Sequence, residues 1–186
     1  MKALFYVQHL LGTGHVVRAV AIARAMLARD IDITLVIGNT LPSTLDTSGL
    51  TIEALPPMRA ADARFARYVT ADGREVDDAF RTERAERPSA LVAGCAPDLF
   101  LTATFPLGRR QFAFALFPEL EVADSLPRPP LIAASVRDIL VRKQEIAKER
   151  WMAEVARTLY DVLLVHADPA RQAGQPPRKG ARGRMH

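Results

Sequence analysis

The chain has one cysteine, Cys95, and one tryptophan in 186 residues, and no apolar stretch long enough to cross a bilayer. A lone thiol excludes an internal disulfide framework and suits a reducing compartment. Cys95 sits in Ala93-Gly-Cys-Ala-Pro97 with no histidine nearby, so it reads as a small buried hydrophobe rather than a nucleophile. Before Gln8 there is only Lys2 and a short apolar run to Val7, shorter than a signal segment, and a cytoplasmic location is the expectation. Metal chemistry lacks its ligands as well. His9, His15, His166 and His186 show no zinc-type pairing with cysteine or carboxylate, and Asp30-Ile-Asp32 falls where a helix gives way to a strand, which reads as a surface turn. No G-x-x-x-x-G-K-[ST] phosphate loop occurs.

The net charge of +4 points towards nucleic acid until the cations are located. Arg171, Arg178, Lys179, Arg182 and Arg184 lie in the last sixteen residues with no acid among them, which leaves the rest of the chain slightly acidic. The basicity belongs to a tail rich in glycine, proline and arginine. Residues 170–186 have too little apolar surface to offset their ordering entropy and are expected to be disordered, without a specific nucleic-acid partner. Attachment of this tail to anionic lipid, a peripheral contact at the inner membrane face, is a weaker reading.

What is present points to one α/β domain over residues 1–169. Ala3 to Val7 is a strand, and after a glycine turn apolar residues recur at helical spacing through Val16, Val20, Ala23 and Leu27. Further strands are expected at 32–37, 51–55, 98–104, 131–135 and 161–165. Met58 to Glu75 reads as a partly helical excursion. Val76 to Ala93 reads as a helix broken in two by Pro88. Gln111 to Ala123 reads as a helix, apolar nearly all round and buried against the sheet, and 144–160 as an amphipathic helix. Alternation of this kind predicts about six parallel strands in a doubly wound, Rossmann-like layer.

In such a sheet the crevice at the carboxyl ends of the strands takes ligand, and the amides that open the first helix favour negative charge. Gly12-Thr13-Gly14-His15 would sit there. The spacing imitates a dinucleotide fingerprint, but Val17 holds the third glycine position and Ile37-Gly38-Asn39 offers no ribose-binding acid, so no nicotinamide cofactor is expected.

The segment Gly12-Thr-Gly-His15, followed by Arg18-Ala-Val-Ala-Ile-Ala-Arg-Ala25, resembles the first glycine loop of GT-B glycosyltransferases. The nearest likeness is to predicted transferases related to the enzyme that adds N-acetylglucosamine to lipid-linked muramyl peptide. Leu55-Pro-Pro-Met-Arg-Ala60, Phe105-Pro-Leu-Gly-Arg109, Ala134-Ser-Val-Arg-Asp-Ile139 and Val165-His-Ala-Asp-Pro169 extend the resemblance, which covers only the N-terminal half of that two-domain fold.

The resemblance implies an inverting, metal-independent transfer from a nucleotide-sugar, a UDP-sugar by expectation, to an acceptor hydroxyl. The N-terminal domain would hold the acceptor, and a C-terminal domain absent here would hold most of the donor. It makes His15 the candidate base, with His9 second, since an imidazole can take a proton near neutral pH. Each could instead be structural, capping the loop. Gly12, Thr13, Gly14, His9 and Arg18 are the expected substrate-binding residues of this loop. Gly108 and Arg109, with Arg110, are expected to face an acceptor phosphate, and Arg137 and Asp138 to line the same rim or to order it as a pair.

The departures are Pro88 in a helix expected to be continuous, Asp30 where a helix-terminating glycine is common, and the absent donor half. A non-catalytic nucleotide-sugar or phosphate-binding domain, or a truncated remnant, is the alternative.

Overall fold

The computed structural model describes residues 1–10, 13–62, 67–137 and 145–166, with Arg137 as backbone. Six parallel strands form the sheet: β1 (Lys2–Val7), β2 (Asp32–Ile37), β3 (Thr51–Ala54), β6 (Leu99–Ala103), β7 (Leu131–Arg137) and β8 (Val162–His166), in the order β3-β2-β1-β6-β7-β8. Register runs Lys2 beside Asp32, Ala3 beside Leu99 and Leu99 beside Leu131, so all strands point the same way. This is the doubly wound order expected of an alternating chain.

Central β1 is buried on both faces from Ala3 to Val7, which is why it reads as a continuous apolar run. Its alternate residues serve two cores. Ala3, Phe5 and Val7 meet Val16, Ala19, Val20 and Ala23 of α1 (Gly14–Leu27). Leu4 and Tyr6 join the larger core made with α2 (Asp78–Cys95), α3 (Ala113–Asp124) and α4 (Ile146–Leu159). Leu27, expected on the apolar face of α1, is exposed at its end, and Asp30 holds a left-handed φ of 57°.

Four expectations are corrected. Among its described residues the excursion after β3 is extended, not helical: β4 (Met58–Ala60) and β5 (Tyr68–Thr70) pair antiparallel, with a further bridge from Val69 to Glu75. Met58 and Ala60 are buried while Arg59 is exposed, a period of two that the surrounding arginines obscure. Gly73, at φ 86°, turns the chain back, and Thr70 and Arg74 close the turn. Nor does Pro88 break its helix. In α2 the buried residues Arg84, Pro88 and Val92 are spaced four apart, so Pro88 lies on the stripe that faces the core. Burial of that stripe outweighs a penalty of about 3 kcal/mol for an interior proline. The helix expected from Gln111 begins instead as a 3-10 turn, Arg110–Phe112, and Cys95 is half-buried rather than sealed.

Candidate functional site

The chain leaves β1 for α1 on one face of the sheet and leaves β6 for α3 on the other. The crevice between these neighbouring strands is the topological switch point, where open α/β sheets take ligand. Gln8 and His9 follow β1, Gly38 to Thr40 follow β2, Thr104 to Arg110 follow β6, and Thr13 to His15 open α1. Arg137 and His166 end β7 and β8 as register partners.

His9 is 4% exposed. Its Nε2 donates to the Thr40 carbonyl at 3.1 Å, so in the neutral ring Nδ1 carries the lone pair, and that buried atom has no hydrogen-bond partner among the described residues. Burial depresses the His9 pKa, the Thr40 bond partly opposes this, and the Arg109 charge depresses it further. Arg109 therefore reaches His9 electrostatically across the switch point.

His15, the second residue of α1, is half-buried. Thr13 is the N-cap and its carbonyl receives Val17 N at 3.0 Å, but its hydroxyl does not cap. A Cβ on Gly14 would meet nothing within 4 Å among the described residues, so packing against them does not explain that glycine. Arg18, one turn after His15, lies close enough to His166 for its charge to join burial in lowering the His166 pKa. His166 Nε2 and Ser135 Oγ are 2.9 Å apart. Arg18, Ser135 and His166 thus gather at the ends of β7 and β8, a grouping the sequence did not reveal. Gly12 and Asp138 lie outside the described residues, and Arg137 is placed only as the last residue of β7.

Past β6, Thr104 and Arg109 both hold left-handed backbone, at φ 69° and 62°. For a β-branched residue this is a sterically strained state, of the kind that clusters at functional sites. Gly108 N bonds the Thr104 carbonyl at 2.8 Å and closes the loop between them. Arg109 and Gly108 open onto a hollow of about 440 Å3 shared with Tyr68, Arg110, Gln111, Lys148 and Met152. Among the described residues the hollow's lining has three cations and no acid, although Lys148 is also bonded to Glu145 at 2.5 Å and Arg110 stacks on Trp151. Burial lowers the Arg109 pKa, an environment in which an anion would be favoured. Larger hollows of about 910 and 780 Å3 lie along the outer groove of α2 and α3 and at the amino ends of β7 and β8. The switch-point rim, not cavity size, marks the candidate site.

Beneath the rim sits a residue missed by the sequence reading. Arg84 is fully buried and donates to four acceptors: the Pro56 and Gly38 carbonyls and the Tyr6 hydroxyl at 3.1 Å each, and Gln8 Oε1. A cation at the centre of a helix's apolar stripe was the available signal. Among the described residues no group of three or more His, Cys, Asp or Glu side chains could hold a metal ion, and no helix is long and apolar enough to cross a membrane.

No family model matches the chain, and no curated protein matches it in sequence. In structure it is similar to SsfS6, a glycosyltransferase of Streptomyces sp. SF2575, with a TM-score of 0.53 and 16% identity over 91% of this chain and 51% of that one. It is also similar to MurG of Acinetobacter baumannii, with a TM-score of 0.51 and 10% identity over 90% of this chain and 42% of that one. The fold is that of the N-terminal half of GT-B glycosyltransferases, and the chain spans about half the length of the structures it matches.

Proposed function

We propose that this chain, having the fold of a GT-B N-terminal domain, is the acceptor-side half of an inverting, metal-independent glycosyltransferase. It works when a donor-binding half is supplied by a longer chain or a partner. The supporting observation is the switch-point rim, where His9, His15 and the Gly108–Arg109 loop meet the carboxyl ends of β1 and β6.

In this reading His15 takes the proton of the acceptor hydroxyl as that oxygen attacks the anomeric carbon of the nucleotide-sugar. The bond from the anomeric carbon to the diphosphate oxygen breaks as the new one forms, which inverts the configuration. Charge on the departing nucleoside diphosphate is stabilised mainly by the other half, across the cleft. The open space at Gly14 lets the sugar or phosphate approach the first turn of α1, where backbone amides favour negative charge. Arg109, Arg110 and Lys148 hold an acceptor phosphate in the adjoining hollow. Gly12, Thr13, Arg18, Arg137 and Asp138 complete the substrate-binding set, and His9 is the second candidate base. The donor is a UDP-sugar, and membrane contact is peripheral.

The test joins the chain to a donor-binding half, covalently or in trans, and assays sugar transfer. His15→Ala is expected to lower the rate by at least about 100-fold, the range of general-base contributions. Wild-type turnover in that variant would remove His15 from the role. Binding of UDP-sugar or acceptor without turnover in the completed protein would favour the second reading, a non-catalytic binding domain. That reading is motivated by the change after residue 169 to a glycine-, proline- and arginine-rich sequence.

A further inference from the structure

The rim is held from below by one guanidinium. Arg84 donates to the segments after β1, β2 and β3 at once, through Gln8, Gly38 and Pro56, and stacks over the Phe112 ring at 5.7 Å, just past the Arg109–Arg110 loop. Gln8 passes this on. Its Nε2 donates to the His9 carbonyl at 2.8 Å and to the Met58 carbonyl at 3.2 Å. Asn39, next to Gly38, donates to the same His9 carbonyl at 3.2 Å, and Thr40 accepts from the His9 ring. His9 is therefore clamped between two short segments whose first residues, Gln8 and Gly38, both bond Arg84 Nη2. Gly38 shows how close this packing is, because a Cβ there would overlap Gln8 Oε1 and Arg84 Nη2.

We propose that Arg84 is the positioning residue of the candidate site: its planar fork, rather than its charge alone, fixes the segments that hold the His9 ring with Nε2 protonated and Nδ1 bare. This rests on the rim being the functional site, but its test needs neither donor nor acceptor. Lysine would keep the charge and lose the fork, since one ammonium cannot reach four acceptors arranged around a plane.

The full chain labelled at histidine with 15N and 13C reads the ring directly, and His→Gln variants assign the resonances. In the wild type the His9 Nε2 proton is protected and the ring titrates below an ordinary histidine. In Arg84→Lys that proton is expected to exchange at least about tenfold faster, as local opening becomes easier, and the His9 midpoint to move up, while His166 stays in place. Val155→Ala, a core deletion in α4, is the control for lost stability and should leave His9 unmoved. If Arg84→Lys does not fold, Gln8→Met cuts the link and spares Arg84 its other three partners; the same release of His9 is expected. An unchanged His9 ring in the folded variant, or equal release in Val155→Ala, would overturn the proposal. Failure of the transfer assay with His9 released as described would count against the function alone.

Discussion

At the scale of the residue, the buried charges of the larger core are its most informative feature. Glu119 is fully buried in α3, and neither carboxyl oxygen has a hydrogen-bond partner among the described residues. Burial raises its pKa well above the usual carboxylate range, and the nearby Arg84 only partly offsets this. Tyr6 and Tyr160 are pushed up by burial too, and an ionised Glu119 would push them further. Glu119 is thus held as a neutral acid in the native state. An unfolded chain gives up that proton at lower pH than the native one, so the native state binds more protons between the two pKa values. The stability this group contributes is whole below its unfolded pKa and is lost as pH rises towards the folded value, by up to about 1.4 kcal/mol per pH unit. Denaturant midpoints taken from pH 4 upwards should show that decline, and Glu119→Gln should flatten it. An unaltered slope in the variant would mean that another group carries the titration. Cys95 is a simpler case: burial raises its thiol pKa, which leaves it a poor nucleophile.

At the scale of the element, caps and stripes decide where the chain turns. Asp77 caps α2 by accepting from Phe80 N at 2.8 Å. Asp77→Ala should cost about 1 kcal/mol in chemical denaturation with the m-value unchanged, the usual loss for an aspartate N-cap. A variant as stable as the wild type would show that the core, not the cap, defines that helix start. The parallel strands were legible because burial on both faces writes a run such as Leu4-Phe5-Tyr6-Val7 without polar interruption. The β4–β5 pair was not, because strands of three residues give too short an alternation to stand out among arginines. Pro88 misled for a physical reason, since local propensity argued for a break and burial of its stripe overrode it. The acceptors of Arg84 lie 28 or more residues away and Glu119 has no hydrogen-bond partner among the described residues, so beyond the cation on the apolar stripe of α2 nothing local in sequence marks them.

At the scale of the whole molecule, the order β3-β2-β1-β6-β7-β8 turns scattered motifs into one rim. Thr13 to His15 and the loop at 105–110 are about ninety residues apart in sequence, yet the parallel pairing of β1 with β6 brings them to the two sides of one crevice. The place of the candidate site was legible from topology; its detail, His9 clamped by Thr40 and Arg109 in left-handed backbone, needed coordinates. If the proposed function holds, this crevice is where substrate meets the chain. Amide chemical-shift mapping with inorganic pyrophosphate, and separately with a UDP-sugar, measures that most directly. The largest shifts are expected at His9, His15, Gly108 and Arg109. Shifts confined to the opposite edge, around Asp32 and Asp98, or none with either probe at millimolar concentration, would contradict it.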